Sequence, residues 1–469
     1  MESAGLWMLA AVAAVMLATG IASWVALIGV AGAFALAGVA FGLFPFALLA
    51  ALPARLLGLL ESDLLQALPL YVLMGALIHR LPLADGLFAS GAHALRATRR
   101  GTPLSGLGLG VVLAPMSGSV GASIAMLGRI VQPRLERGGL APERAGALVC
   151  AAATLGVLVP PSLVLILLGD AMMRAHTEAS RFNASIVRIV NTQDVFHAAL
   201  VPGAWLVFLF AAVTWAVCHD GARAPAPPKR DRIEAALALA AIVALLGGVA
   251  LGYFYAVEAA AMGAVALFAY GAATRTLTRP VLAAVLRDTL ALSGALFALL
   301  VAATCFTLVQ RAFGTDRWLA ALFASLDARP MTILAVALAA TAACALVLDA
   351  FEMIFVVVPL IMPPLLARVP DAPWVAVLTL LILQASFIVP PFGYAVLMMR
   401  SRAPSLGPRT LSRALVPYVA AQVVVLALVW AFPQMLWRDA QKETAAPEAP
   451  PSDEKAREML EKQLSQPPT

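Results

Sequence analysis

Apolar runs long enough to cross a bilayer recur from Leu6 almost to Phe432, separated by short polar stretches. Roughly 20 apolar residues suffice for one crossing. The pattern places spans at 6–22, 24–41, 64–79, 146–169, 197–217, 234–252, 256–272, 290–310, 374–398 and 415–433. Between the second and third, GLFPFALLAALPARLLGLLESD (42–63) is apolar but interrupted by Pro45, Pro53 and Arg55, so it is either an interfacial arm or a short extra span. The chain therefore reads as an all-α polytopic membrane protein with about 10–12 transmembrane helices.

Charge orients these spans. Arg and Lys concentrate at 96–103, 129–144, 219–232, 274–287 and 400–413, all of which the positive-inside rule assigns to the cytoplasm. The pairs of spans between 129–144, 219–232 and 274–287 cross out and back, as that requires. One stretch does not fit. LAPMSGSVGASIAMLG (113–128) lies between Arg96, Arg99 and Arg100 on one side and Arg129, Arg134 and Arg137 on the other. A single crossing there would put one set of arginines outside. A re-entrant hairpin over 104–128, with its tip at Pro115–Ser119, keeps both sets inside; backbone broken at that depth must be buried in protein or line a cavity.

The second half repeats the pattern. LGVLVPPS (155–162) matches SFIVPPFG (386–393), each a Pro-Pro pair in a long apolar run. About forty residues before each lies a broken apolar segment, APMSGS (114–119) and VLDAFEM (347–353), the latter within a second hairpin expected over about 331–367. Counting crossings puts the two broken segments on opposite sides. Paired interrupted helices in oppositely oriented halves mark inverted-repeat secondary transporters. The expected organisation is N-terminal spans and arm (1–63), a first repeat (64–217), linking spans (218–289), a second repeat (290–433) and a polar tail (434–469). Residues 171–195 read as a polar periplasmic excursion, and the Pro-, Glu- and Lys-rich tail as a disordered or weakly helical extension.

Composition sharpens the class. The 469 residues are 62% hydrophobic and 12% charged, with mean hydropathy +0.91, against about half and a quarter in soluble domains. The net charge of +6 sits in loops, with no basic stripe interleaved with aromatics, so a nucleic-acid partner is not expected. The four cysteines are scattered through apolar runs and read as core residues. The start, running from Glu2 into the first span without a small-residue cleavage site, argues against a removed signal peptide. There is no nucleophile elbow, no paired-histidine metal motif and no phosphate-binding P-loop. An enzyme is not expected, nor a cofactor; transport would draw on an ion gradient or on a partner.

Unwound segments in a membrane free carbonyls for cations and helix N-termini for anions. Ser117 and Ser119 add hydroxyls, Gly118 and Gly121 permit close backbone approach, and Thr154, Gly156 and the carbonyls before Pro160 lie in the facing break. Such a cage suits a hard monovalent cation. A second would use Asp349, Ala350 and Phe351 opposite Gln384, Ser386, Pro390 and Gly393. Asp349 and Glu352 are acids in an apolar run and so functional candidates. For Glu352, a place at a water-filled mouth is an equal alternative. The competing reading of the small residues is plain helix packing.

LQALPLYVLMGALI (65–78), APMSGSVGASIAMLG (114–128), AAATLGVLVPPSLVLILLGD (151–170), VEAAAMGAV (257–265) and LILQASFIVPPFGYAVL (381–397) together resemble the large membrane subunit of tripartite ATP-independent periplasmic (TRAP) transporters, over roughly residues 5–433. The details look most like the branch labelled mannitol or chloroaromatic. The resemblance implies an elevator-type transporter in the bacterial inner membrane, driven by sodium ions, that takes a carboxylate-bearing organic acid from a periplasmic substrate-binding protein. It implies a small four-helix membrane subunit as scaffold partner, here a separate polypeptide. Carried over by position, one sodium site comprises Ser117, Gly118, Ser119, Thr154, Gly156 and Val157, and the other Asp349, Ala350, Gln384, Ser386 and Pro390. Substrate would face Ser117, Pro160, Pro161, Asp349, Pro391 and Gly393 between the hairpin tips. The chain departs from the pattern at Val257, where the family usually has Thr, at Gln384 and Ser386, which replace smaller residues, and in the length of 171–195. A stand-alone sodium-coupled organic-anion symporter of the same architecture is the alternative, and a non-transporting scaffold or channel the third reading.

Overall fold

The computed structural model describes residues 4–61, 63–98, 100–160, 162–183, 190–218, 227–326, 328–390, 393–404 and 406–437. Helices make up 84% of it, with no strand among the described residues. Among the described residues eight stretches are long and apolar enough to cross a bilayer, counting Pro142–Arg181, interrupted after Leu158, as one. A ninth span results if Ala67–Arg80 and Leu83–Ala94, bent by 64° at Leu81–Pro82, count as one. The shorter apolar helices Gly101–Leu113, Pro330–Ala345 and Ala372–Ile388 belong to hairpins and broken helices.

The centre is built from two helices, Pro142–Leu158 and Ala372–Ile388, whose residues are almost all buried. The composition of the first explains its burial. AGALVCAAATLG offers small side chains that let neighbouring backbones approach closely, which lipid-embedded packing needs because hydrophobicity drives little between helices in hydrocarbon. At Gly110 and Ala152 the approach is tight enough that a Cβ on Gly110 would stand 2.7 Å from the Ala152 carbonyl. Peripheral helices such as Lys229–Ala250, with four buried residues, present bulkier apolar side chains outward.

Each central helix ends at a valine in extended conformation, Val159 (φ −73°, ψ 118°) and Val389 (φ −74°, ψ 115°), just before proline. Proline disfavours the helical region for the residue before it and supplies no amide, so the ladder stops. The chain resumes as Leu163–Phe182 and Tyr394–Arg402. The hairpins precede these breaks. The first runs Gly101–Leu113, a 3-10 turn at Pro115–Ser117, then Val120–Ile130; the second runs Pro330–Ala345, a turn, then Ala350–Arg368 with a π-helical stretch at Met353–Val357.

The two halves keep one register. Ser119 and Asp349 cap the returning arms, and they stand 230 positions apart. The same interval separates Pro142 from Ala372, Leu158 from Ile388, Val159 from Val389 and Pro160 from Pro390. The flanking helix pairs also correspond in order: Asp63–Arg80 with Leu83–Ala94, and Arg279–Ala312 with Thr315–Ser325.

Several expectations are corrected. The polar excursion at 171–195 is largely helix: Leu163–Phe182 continues through it, burying Ala171, Met172, Ala175 and Ala179 while its charges pair, and Asn191 opens the next helix, Thr192–Val217, with a capping box. Residues 184–189 lie outside the described residues. The division at 289/290 falls inside one continuous helix, Arg279–Ala312. Residues 42–63 hold a 3-10 turn, Phe46–Ala51, and a helix, Leu52–Leu60, roughly 14 Å long against a hydrocarbon core of about 30 Å, so the arm reading prevails over a full span. The tail beyond Trp437 lies outside the described residues.

Candidate functional site

The hairpin tips and the helix breaks meet at one cavity of about 50 Å³. From the first half Ala114–Pro115, Gly118–Val120 and Gly156–Val157 reach its wall; from the second come Asp349–Phe351, Phe387 and Tyr394. Two glycines make this geometry possible for different reasons. Gly118 sits at φ +69°, a left-handed conformation that turns the chain back and is costly for other residues. Gly156 packs against the tip itself, where a Cβ would come within 2.5 Å of the Ala114 carbonyl carbon and oxygen.

Around this tip the two serines have different surroundings. The Ser117 hydroxyl is turned inside the hairpin, within 2.8 Å of the Ala114 carbonyl, 3.1 Å of the Ser119 carbonyl and 2.6 Å of the Ser123 hydroxyl. Its single proton and lone pairs are engaged in holding the tip together. Ser119 caps Val120–Ile130 weakly, accepting from the Ala122 amide at 3.4 Å, and lines the cavity. In the facing tip the Glu352 carboxylate accepts from the Asp349 amide at 3.1 Å, and Glu352 is buried. That decides against a mouth position for Glu352: it fastens the start of the arm. Asp349, by contrast, is exposed on the cavity wall.

Of the residues singled out from sequence, Gly118, Ser119, Gly156, Val157, Asp349, Ala350 and Phe351 line this cavity. Thr154 is buried with its hydroxyl donating back to the Ala151 carbonyl at 2.9 Å, and Ser386 likewise donates to the Leu383 carbonyl at 2.7 Å. Neither lines the cavity. Gln384, the counterpart of Thr154 in the repeat, is fully buried, and neither its carboxamide oxygen nor its nitrogen has a hydrogen-bond partner. Pro160 and Gly393 are buried beside the breaks, and Pro390 is half-buried. Pro161 and Pro391 lie outside the described residues. Tyr394 and Phe387 also line the cavity; both lie within the stretch 381–397, but neither was singled out there as a site residue. The Tyr394 hydroxyl lies 2.8 Å from where a Cβ on Gly121 would stand.

Ser117 instead lines a second, larger cavity of about 660 Å³ behind the tip, between the first hairpin's returning arm and the helices Asp63–Arg80 and Arg279–Ala312. Arg129 and Arg402 face it, as does Arg80, whose guanidinium is bound to Asp288 at 2.6 Å. Gly75 lets the tip pack on this wall, since a Cβ there would stand 2.7 Å from the Ser117 carbonyl oxygen. A cavity of about 260 Å³ opens on the other side of the molecule, beside Arg55, Asp170, Arg174, Glu178 and Arg311. Among the described residues no group of three His, Cys, Asp or Glu is placed to hold a metal ion.

Comparison with known proteins accounts for this arrangement. The solved structure of the YdaH transporter of Alcanivorax borkumensis superposes with a TM-score of 0.56, covering 83% of this chain and 89% of that one at 16% identity, a likeness of fold. The sialic acid TRAP transporter large permease protein SiaM of Vibrio cholerae is 24% identical over 387 residues, covering 81% of this chain and 87% of its own. The C4-dicarboxylate TRAP transporter large permease protein DctM of the same species is 24% identical over 392 residues, 78% and 83% of the two chains. The sialic acid TRAP transporter permease protein SiaT of Haemophilus influenzae is 23% identical over 390 residues, 80% of this chain and 60% of that longer one. Residues 9–435 match the model of the tripartite ATP-independent periplasmic transporter, DctM component, and the chain belongs to that family: it is a multi-pass large permease subunit and not an enzyme.

Proposed function

We propose that this subunit moves an organic acid inward across the bacterial inner membrane, driven by sodium ions, with the cavity between the hairpin tips as the binding site. The convergence of two tips and two proline breaks on one small cavity carries this reading. There, unwound backbone presents carbonyls for a cation, and the starts of Val120–Ile130 and Ala350–Glu352 direct amides toward an anion. Asp349 adds a reason for coupling. The cavity of about 50 Å³ admits the substrate's carboxylate and not the whole acid, and that anion beside Asp349 is repelled unless a cation lies with it. Sodium held by the Ser119 hydroxyl and by carbonyls around Gly118 and Gly156 on one side, and by Asp349 on the other, supplies that charge. Gln384, buried and unpartnered next to the second break, is a further carboxamide ligand for the second ion.

Arg129 and Arg402 place positive charge along the larger cavity, which suits passage of an anion. By the positive-inside rule that cavity opens to the cytoplasm, and the conformation is inward-facing. Movement of the hairpins and central helices against the flanking helices, in the manner of an elevator, carries the site between the two sides. The substrate arrives from a periplasmic binding protein, and a small membrane subunit braces the flanking helices. Relatives named for sialic acid and for C4-dicarboxylates set the range of acids to test.

The test is uptake into proteoliposomes holding this subunit, its small membrane partner and a candidate binding protein loaded with labelled sialic acid or succinate. An inward sodium gradient should drive accumulation, and an equal potassium gradient should not. Accumulation independent of sodium would overturn the coupling. Uptake without any binding protein would favour a stand-alone symporter.

A further inference from the structure

The cavity beside Arg311 is related to the larger cavity beside Arg129 by the same 230-position register that relates the hairpins. Leu65 and Ala295, Phe355 and Ala125, and Pro359 and Arg129 are counterparts, one of each pair lining each cavity. Both lie between a hairpin's returning arm, the second piece of a broken helix and a flanking helix. They differ in size, about 260 against 660 Å³. At the mouth of the smaller one, the Arg311 guanidinium on the flanking helix Arg279–Ala312 reaches the Glu178 carboxylate on Leu163–Phe182 at 2.7 Å. The pair thus ties the moving body to its frame. The corresponding positions at the other mouth are Leu81 and Pro408, which cannot form an ion pair.

We infer that the Arg311 cavity is the collapsed outer vestibule of the same pathway, and that the Glu178–Arg311 ion pair is a latch biasing the protein toward the conformation seen here. The inference rests on the alternating-access reading above but names a device that reading does not require. The other charges facing the latch are Arg55, on the arm, and Arg174 and Asp170, which pair with each other at 3.0 Å along one helix. Arg55 faces Glu178 as well, so removing Glu178 releases the latch more completely than removing Arg311.

The test uses full-length protein lacking its four cysteines, in oriented membranes, with one cysteine introduced at Ile354 or at Ala125. Ile354 is fully buried on the wall of the Arg311 cavity, so labelling there by an impermeant thiol reagent reports opening of that side. Ala125 reports the other side. A partly exposed ion pair shifts a two-state equilibrium by about two- to fivefold. Glu178→Gln and Arg311→Gln should each raise the rate at Ile354→Cys by that factor without raising it at Ala125→Cys. The double variant should go no further than Glu178→Gln alone. Arg174→Gln, which breaks a pair within one helix, should leave both rates unchanged. An unchanged Ile354 rate in both single variants would overturn the latch, as would an equal rise at both sites. Labelling needs neither substrate nor sodium, so its outcome is separate from that of the uptake experiment.

Discussion

At the scale of single residues, the two tip glycines make opposite demands, and substitution separates them. Gly118→Ala meets no atom closer than 3.8 Å, so its cost is the left-handed backbone, about 1–2 kcal/mol. Gly156→Ala has ordinary helical surroundings but drives a methyl into the Ala114 backbone, and overpacking of this kind costs about 1–3 kcal/mol. Because the displaced atoms belong to the cavity wall, Gly156→Ala should lose sodium-driven uptake about tenfold or more while the protein remains folded in detergent; near-normal uptake would show that the tip does not need this contact. The serines divide in the same way. Ser117→Ala strands buried partners and should lower thermal stability by about 1–3 kcal/mol. Ser119→Ala removes only a long capping bond and should leave stability almost intact while raising the sodium concentration for half-maximal uptake severalfold. Equal behaviour of the two variants would undo that division. Sequence alone could not make it: both are serines in one SGS tripeptide, and only the course of the turn sends one inward. Tyr394 and Arg402 were hidden for a related reason: the first reads as part of the stretch around the proline break and the second as one arginine of a basic loop, and only the fold turns each toward a cavity.

At the scale of elements, the breaks and hairpins were legible because they contradict their surroundings. Prolines in apolar runs, and Gly and Ser between arginines, have few structural solutions in a membrane. The helices Leu83–Ala94 and Thr315–Ser325 were not, because neither is long enough to register as a span. Neither was the helical continuation through 171–182, whose polar residues mask a buried face of Ala and Met. The second tip shows how an element can use an acid for structure. Asp349 and Glu352 look alike in sequence as acids in a greasy run, yet the Glu352 carboxylate closes the first turn of its arm by accepting from the Asp349 amide. A lost cap costs about 0.5–2 kcal/mol. Glu352→Ala should therefore destabilise the protein by roughly that amount, and Glu352→Gln, which keeps an acceptor oxygen, should recover most of it in thermal unfolding. If Gln proved as damaging as Ala, the charge itself and not the cap would be what matters at 352.

At the scale of the whole molecule, the repeat makes a claim about sidedness that charge and register support separately. The charge argument places both ends of the first hairpin in the cytoplasm, because arginines flank it on both sides. The register argument does not use charge. The arms Gly101–Leu113 and Pro330–Ala345 occupy equivalent places, and both tips end at one cavity between the central helices. Two hairpins that meet tip to tip inside one membrane must enter from opposite faces. The second hairpin should then begin and end outside, although Arg329 and Arg368 flank it and local charge alone would draw it inward. Two arginines at the ends of one hairpin weigh less than the five basic loops that fix the remaining spans. On a cysteine-free background, Ala97→Cys and Arg137→Cys should react with an impermeant thiol reagent only from the cytoplasmic side, and Arg329→Cys and Pro370→Cys only from the periplasmic side. All four positions are exposed in the structure, so a failure to react would reflect membrane side and not burial. Same-side labelling of all four would break the inversion and with it any alternating exchange between the two vestibules. The opposed pattern would mean that one sequence register, read twice with opposite orientation, builds both entrances to a single site.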